Sequence, residues 1–275
     1  MSSLHLADTH IGFIGGGNMA SAIIGGLLKA GMKPEQFTIV EPFDVTRAKL
    51  QADFNIASQA TPDKALTRCD LVVWAVKPQS FKEAAAPVAS YTKEALHLSV
   101  AAGVTSDSIA AWLGTERIVR AMPNTPALIG QGITGLFARE GSSDKDRALV
   151  DAVIGVTGQH LWLDEESKLD AVTAISGSGP AYVFYFLEAM VEAALGMGLT
   201  EAQARSLATA TFAGSTALAA ASSESLSVLR ERVTSKGGTT YAALTHMEGA
   251  NIKAEFVAAM QAAAARAKEL GAQFG

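Results

Sequence analysis

The sequence predicts an α/β fold, with an N-terminal parallel sheet covered by helices on both faces and an all-α domain after it. Three observations lead there. Up to residue 164, short β-rich runs alternate with helix-length amphipathic segments, the pattern that builds a parallel sheet. Beyond residue 165 the β-rich runs stop and apolar, alanine-rich helical segments follow one another. A glycine-rich turn also stands directly between the first strand pattern and the first helix pattern.

The β-rich runs are residues 10–15, 37–41, 70–76, 96–101, 117–122 and 160–164. The run Leu71-Val72-Val73-Trp74-Ala75-Val76 is apolar throughout, as befits a strand covered on both sides. The first helical pattern covers residues 21–29 and stops at Gly31. In the second half Pro180 opens a long apolar helix, and Thr200-x-x-Gln203 is a capping-box start for the next. Residues 239–247 and 251–270 supply two more helices. No Pro/Gly/Ser linker separates the halves, and the best boundary lies at 164–168, giving domains 1–165 and 166–275. So many apolar helical faces in so short a domain call for a partner surface, so an oligomer is expected.

Composition narrows the function classes. With 275 residues, 49% hydrophobic and 18% charged, the chain has an ordinary globular balance and enough length for a sizeable core. A net charge of −5 with no Lys/Arg cluster argues against nucleic acid as a partner. Residues 1–10, with His5 and Asp8, lack the apolar core of a secretory signal. The most apolar stretch, 181–199, carries Glu188 and Glu192 near its middle, so a buried amphipathic helix is expected there, not a membrane span. Cys69 is the only cysteine, which removes intrachain disulfides and thiolate metal clusters and fits a cytoplasmic location.

The chemistry-bearing signal is Ile14-Gly15-Gly16-Gly17-Asn18-Met19-Ala20, a G-x-G-x-x-A fingerprint in strand–turn–helix context. Gly15 permits a tight turn, Gly17 lets backbone approach a pyrophosphate, and Ala20 allows close helix–strand packing. The helix N-terminus attracts the negative charge. This marks a Rossmann-type domain for NAD or NADP; the bland alternative is a tight turn without ligand. Glu41 ends the second β-rich run, where an acid would hydrogen-bond the ribose 2′-hydroxyl of NAD and repel a 2′-phosphate. It would otherwise be a solvated strand-end carboxylate, and Arg47 and Lys49 lie close enough in sequence to take a phosphate instead.

Further loops leave the carboxyl ends of strands, where ligands of open α/β sheets lie. Ala75-Val76-Lys77-Pro78 is one, and Val100-Ala101-Ala102-Gly103 is a second, built of small residues. Met122-Pro123-Asn124-Thr125-Pro126 is the third, fixed by two prolines, with Asn124 offering both donor and acceptor. In the helical half, Ser176-Gly177-Ser178-Gly179-Pro180-Ala181-Tyr182 and Val233-Thr234-Ser235-Lys236-Gly237-Gly238-Thr239-Thr240 are small, hydroxyl-rich turns feeding helices. The second gathers free N–H groups and hydroxyls as a carboxylate site would. Either turn alone reads equally well as an ordinary N-cap.

Taken together and in order, these segments resemble the pyrroline-5-carboxylate reductase family over essentially the whole chain. The resemblance implies a dinucleotide domain followed by a helical dimerisation domain, with homodimers assembled into larger rings. It implies NADPH or NADH as cofactor and 1-pyrroline-5-carboxylate as substrate, reduced by hydride at its imine carbon to L-proline. The Gly237, Gly238 and Thr239 backbone would hold the substrate carboxylate, with Ser235 beside it, and the Thr240 hydroxyl would meet the ring nitrogen. Glu166 matches a family acid near the substrate. The departures are Lys236 where the family usually has proline, Arg232 in place of a common asparagine, and Ser222-Ser223-Glu224-Ser225-Leu226 without the usual acid-x-x-proline. Thr61-Pro62 stands where many members place a ribose-binding asparagine. A β-hydroxyacid dehydrogenase, the nearest rival, needs a catalytic lysine on the first long helix of its second domain, and residues 180–198 contain none. A non-catalytic dinucleotide sensor would have no reason to keep the 237–240 turn.

Overall fold

A computed structural model describes residues 6–274; His5, expected in a polar start, lies outside the described residues. The chain forms two compact units, one of Met1–Ser178 with Ala263–Gly275 and one of Gly179–Ala262.

The first unit is built on one eight-stranded sheet in the order β3-β2-β1-β4-β5-β6-β7-β8. The strands are β1 (Ile11–Ile14), β2 (Phe37–Val40), β3 (Ser58–Gln59), β4 (Leu71–Trp74), β5 (Leu96–Ser99), β6 (Ile118–Met122), β7 (Gly132–Ala138) and β8 (Gly158–Trp162). Pairing is parallel except between β6 and β7, so β7 and β8 both run opposite to the other six strands of the expected parallel sheet. β7 was not expected from the sequence. Gly132 and Gly135 dilute its β pattern, and a Cβ on Gly135 would come within 2.9 Å of Val172. The glycine is needed because the helix α6 (Lys168–Val172) packs directly onto the strand.

Alternation along the strands divides the core into two layers. Ile11 and Phe13 of β1 point into a cluster with Ala20, Ile23, Ile24 and Leu27 of α1 (Asn18–Lys29), Leu50 of α2 (Asp44–Phe54) and Val150 of α5 (Asp144–Ile154). Ile14 and Val72 face the other layer, with Phe81 of α3 (Pro78–Val88) and Ile109 of α4 (Ser106–Leu113). Phe13, Ile23, Trp74 and Phe81 are completely buried, each contributing roughly 1.5–3 kcal/mol of transfer free energy. This rigid slab fixes where every loop at the carboxyl ends of the strands emerges.

The second unit holds α7 (Gly179–Gly196), α8 (Glu201–Ala221), α9 (Leu226–Arg232), α10 (Thr239–Gly249) and the first part of α11 (Ile252–Phe274). The expected capping box opens α8: Thr200 accepts from the Gln203 amide, and the Gln203 side chain accepts from the Thr200 amide at 3.0 Å. Phe256 of α11 meets Tyr182 and Phe186 of α7 edge-on, with ring centroids 6.0 and 5.5 Å apart. Yet large apolar side chains stay exposed here, among them Phe184, Tyr185, Leu207 and Leu218. No helix among the described residues is long and apolar enough to cross a membrane.

Candidate functional site

The glycine turn has the geometry its sequence demands. Gly15 sits at φ +93°, and a Cβ there would lie 2.6 Å from the Ala75 carbonyl oxygen, which only glycine avoids. The same contact brings the Gly15 turn against the Ala75-Val76-Lys77-Pro78 loop, where the Ala75 amide donates to the Ile14 carbonyl at 2.8 Å. Gly16 is buried, and a Cβ on it would meet Leu50 Cδ1 at 2.5 Å, so the turn is pressed against α2. Gly17 is exposed, a Cβ on it would meet no atom within 4 Å, and it caps α1 without any side-chain hydrogen bond. Among the described residues the Gly15 and Gly16 amides are paired, whereas those of Gly17, Asn18 and Met19 donate to nothing and form an open cradle at a helix N-terminus, which fits a pyrophosphate. Asn18 is exposed at its lip, and Met19 packs back into the core.

Glu41 is not a solvated strand end. It is 5% exposed, its Oε2 accepts the Gly16 amide at 2.8 Å, and its Oε1 accepts the Phe43 amide at 2.9 Å. Lys77 is exposed at the cap of α3, with Pro78 as the first helical residue. Ala101 is buried and Ala102 half-buried where β5 ends. Asn124 uses its carbonyl oxygen to accept the Ile133 amide at 3.0 Å, so one of its functions is to hold the start of β7. A Cβ on Gly177 would meet Met122 Cε at 2.5 Å, which draws Ser176-Gly177-Ser178 against the 122–126 motif.

Glu166 lies in a polar cluster of the first unit. Its carboxylate accepts from the Ser106 amide and hydroxyl and from Arg120, all at 2.6 Å. Arg139 donates to the same Ser106 hydroxyl at 3.2 Å. Sequence reading missed Ser106 and Arg120. The available signal was Arg120 itself, a charge at a mid-strand position in the otherwise apolar Ile118-Val119-Arg120-Ala121-Met122, since such a charge needs a buried partner. Cys69 offers no nucleophile, because burial pushes its thiol up to about 11.

In the second unit the 235–240 segment is a tight turn feeding α10. The Gly238 amide donates to the Ser235 carbonyl at 3.0 Å, and Gly237 sits at φ +76°, the type II arrangement. Lys236 occupies the second position of that turn and is exposed. Gly238 caps α10 with no side chain to satisfy the first turn. Among the described residues the amides of Gly237, Thr239 and Thr240 donate to nothing, and neither do the Thr239 and Thr240 hydroxyls. Three free amides and two free hydroxyls on consecutive residues form a surface suited to a small anion.

A Rossmann sheet with an open phosphate cradle, followed by a helical unit with an anion-ready turn, defines a nicotinamide-dinucleotide-dependent oxidoreductase. The family model described as NADP oxidoreductase, coenzyme F420-dependent, matches residues 10–103, and the one described as pyrroline-5-carboxylate reductase dimerisation matches residues 166–270. The chain is 40% identical to pyrroline-5-carboxylate reductase of Pseudomonas aeruginosa, covering 98% of this chain and 100% of the relative. It is 39% identical to the Haemophilus influenzae enzyme over 96% of this chain and 98% of the relative. Among solved structures, pyrroline-5-carboxylate reductase from Coxiella burnetii superposes with a TM-score of 0.88 at 36% identity, covering 96% of this chain and 98% of that one. The chain belongs to the pyrroline-5-carboxylate reductase family.

Proposed function

We propose that this chain reduces 1-pyrroline-5-carboxylate to L-proline with NADPH or NADH, the last step of proline biosynthesis. The observation that carries the substrate half is the cluster of free amides and hydroxyls at the start of α10. Family membership supplies the reaction class.

The Gly237-Gly238-Thr239 backbone surrounds the substrate carboxylate in this reading, with the Gly238 amide closing the turn on the Ser235 carbonyl and the Ser235 hydroxyl beside it. The Thr240 hydroxyl holds the ring nitrogen and relays its proton from solvent. Glu166 opens the segment 166–275 that this reading gives to the substrate; its side chain packs in the first compact unit, where Arg120 compensates its charge. In the dinucleotide domain, 1–165, Ile14, Gly15, Gly16, Gly17, Asn18 and Met19 cradle the pyrophosphate. Glu41 lies at the adenosine ribose, and Ala75, Val76, Lys77, Pro78, Ala101, Ala102 and Asn124 line the nicotinamide side. The bound dihydronicotinamide supplies the hydride, and the protein supplies binding, orientation and the exclusion of competing water.

The exposed apolar faces of α7 and α8 and the match to a dimerisation model support a homodimer, and we propose that dimers assemble into a larger ring in the cytoplasm. Thr240→Ala tests the substrate reading. A hydrogen bond to a charged group is worth roughly 1.5–3 kcal/mol, so kcat and kcat/KM fall together by about 10- to 100-fold. Dinucleotide affinity stays unchanged, and Thr240→Ser retains most activity. A Thr240→Ala enzyme with wild-type kcat ends the assignment.

A further inference from the structure

The junction of β2 and α2 carries a charge arrangement that the general reaction does not require. The Glu41 carboxylate is fixed from both sides, because its two oxygens accept the Gly16 amide at 2.8 Å and the Phe43 amide at 2.9 Å. Parallel register pairs Ile14 with Val40, so Glu41 follows β2 at the level where Gly15 and Gly16 follow β1. Swinging the carboxylate aside would leave two amides without an acceptor, one of them in a buried turn. Each oxygen still keeps an unused lone pair that can accept a ribose hydroxyl.

The cations best placed to counter this charge are engaged elsewhere. Arg47 donates to the carbonyl oxygens of Glu41 and Pro42, both at 2.8 Å, and pairs with Asp44. Lys49 pairs with Asp53 at 2.5 Å. These are the only cations of α2. A ribose 2′-phosphate brought to this junction meets an immobile carboxylate, and α2 has no unengaged cation to receive it. Arg47 could turn toward a phosphate only by giving up three acceptors.

We propose that Glu41 is a specificity-determining residue that makes this chain favour NADH over NADPH. The neutral 2′-hydroxyl of NADH donates to the carboxylate, whereas the phosphate of NADPH opposes it. The inference rests on the dinucleotide reading of the first unit and does not depend on the imine substrate. It is therefore tested by binding alone, on the full-length protein without imine. Dissociation constants for NADH and NADPH are measured by calorimetry for wild type, Glu41→Ser and Glu41→Gln. The wild type is expected to bind NADH more tightly by at least about tenfold, and both variants to narrow that ratio severalfold. Glu41→Gln keeps the size and one acceptor oxygen, so it serves if Glu41→Ser does not fold. Equal affinities in the wild type, or a ratio that Glu41→Gln leaves unchanged, overturn the proposal. Failure of the wild type to bind either dinucleotide overturns the broader reading of the glycine turn, and this inference with it.

Discussion

His97 makes the dinucleotide domain sensitive to acid at a pH well above that of carboxylate titration. Its ring is 1% exposed in the middle of the sheet, on β5. The Trp74 indole is only a donor, and it donates to His97 Nδ1 at 3.0 Å, so Nδ1 carries no proton. Nε2 then holds the ring proton and donates to the Thr92 carbonyl at 3.2 Å. Adding a second proton breaks the Trp74 bond and buries a charge. Burial accordingly depresses the pKa of His97 from 6.5 to about 4, partly opposed by the Thr92 hydrogen bond. Below pH 6.5 the unfolded chain binds this proton while the folded chain does not, until about pH 4. Stability is therefore complete above pH 6.5 and is lost as pH falls through that window. The loss is about 2 kcal/mol by pH 5 and about 3 kcal/mol in all, a sizeable share of a typical domain stability. Urea unfolding at fixed protein concentration between pH 7.5 and 5 measures it, with His97→Gln as the non-titrating reference. An NMR titration of His97 with a midpoint near 6.5, or equal pH dependence in wild type and variant, would refute the reasoning.

Gly15→Ala forces a Cβ to 2.6 Å from a backbone oxygen at φ +93°, so it should cost about 1–3 kcal/mol in thermal unfolding and weaken NADH and NADPH binding alike. Unchanged dinucleotide affinity would show that the turn does not serve the cofactor. Lys236→Pro should raise stability by about 0.4–1 kcal/mol, since the Lys236 amide donates to nothing among the described residues and proline suits the second position of a type II turn. Removing the ammonium should also raise KM for the imine; a lower melting temperature would show that the turn is not of this kind. Sedimentation should find a dimer or larger species at micromolar concentration, because Phe184, Tyr185 and Leu218 stand exposed on the isolated chain. A stable folded monomer would contradict the assembly.

The sequence by itself determined the fold class, the place of the glycine turn and the capping of α8. These depend on local rules: periodicity, a turn that only glycine can make, and a box of residues three positions apart. It also singled out both 75–78 and 235–240 as segments of interest. Only the tertiary structure decided what the polar residues do. Glu41 could be read as solvated or as ribose-binding, and the fold gives its oxygens to the Gly16 and Phe43 amides. Arg47 and Lys49 looked available for a phosphate until packing gave each an acceptor nearby. Glu166 meets Ser106 and Arg120, which stand 60 and 46 positions away in the chain, and no spacing rule links them. β7 escaped notice because its glycines answer to the side chain of Val172 pressing on the strand, a contact that exists only once α6 has folded back. Backbone conformation follows from neighbours in sequence, whereas the partner of a buried charge follows from neighbours in space.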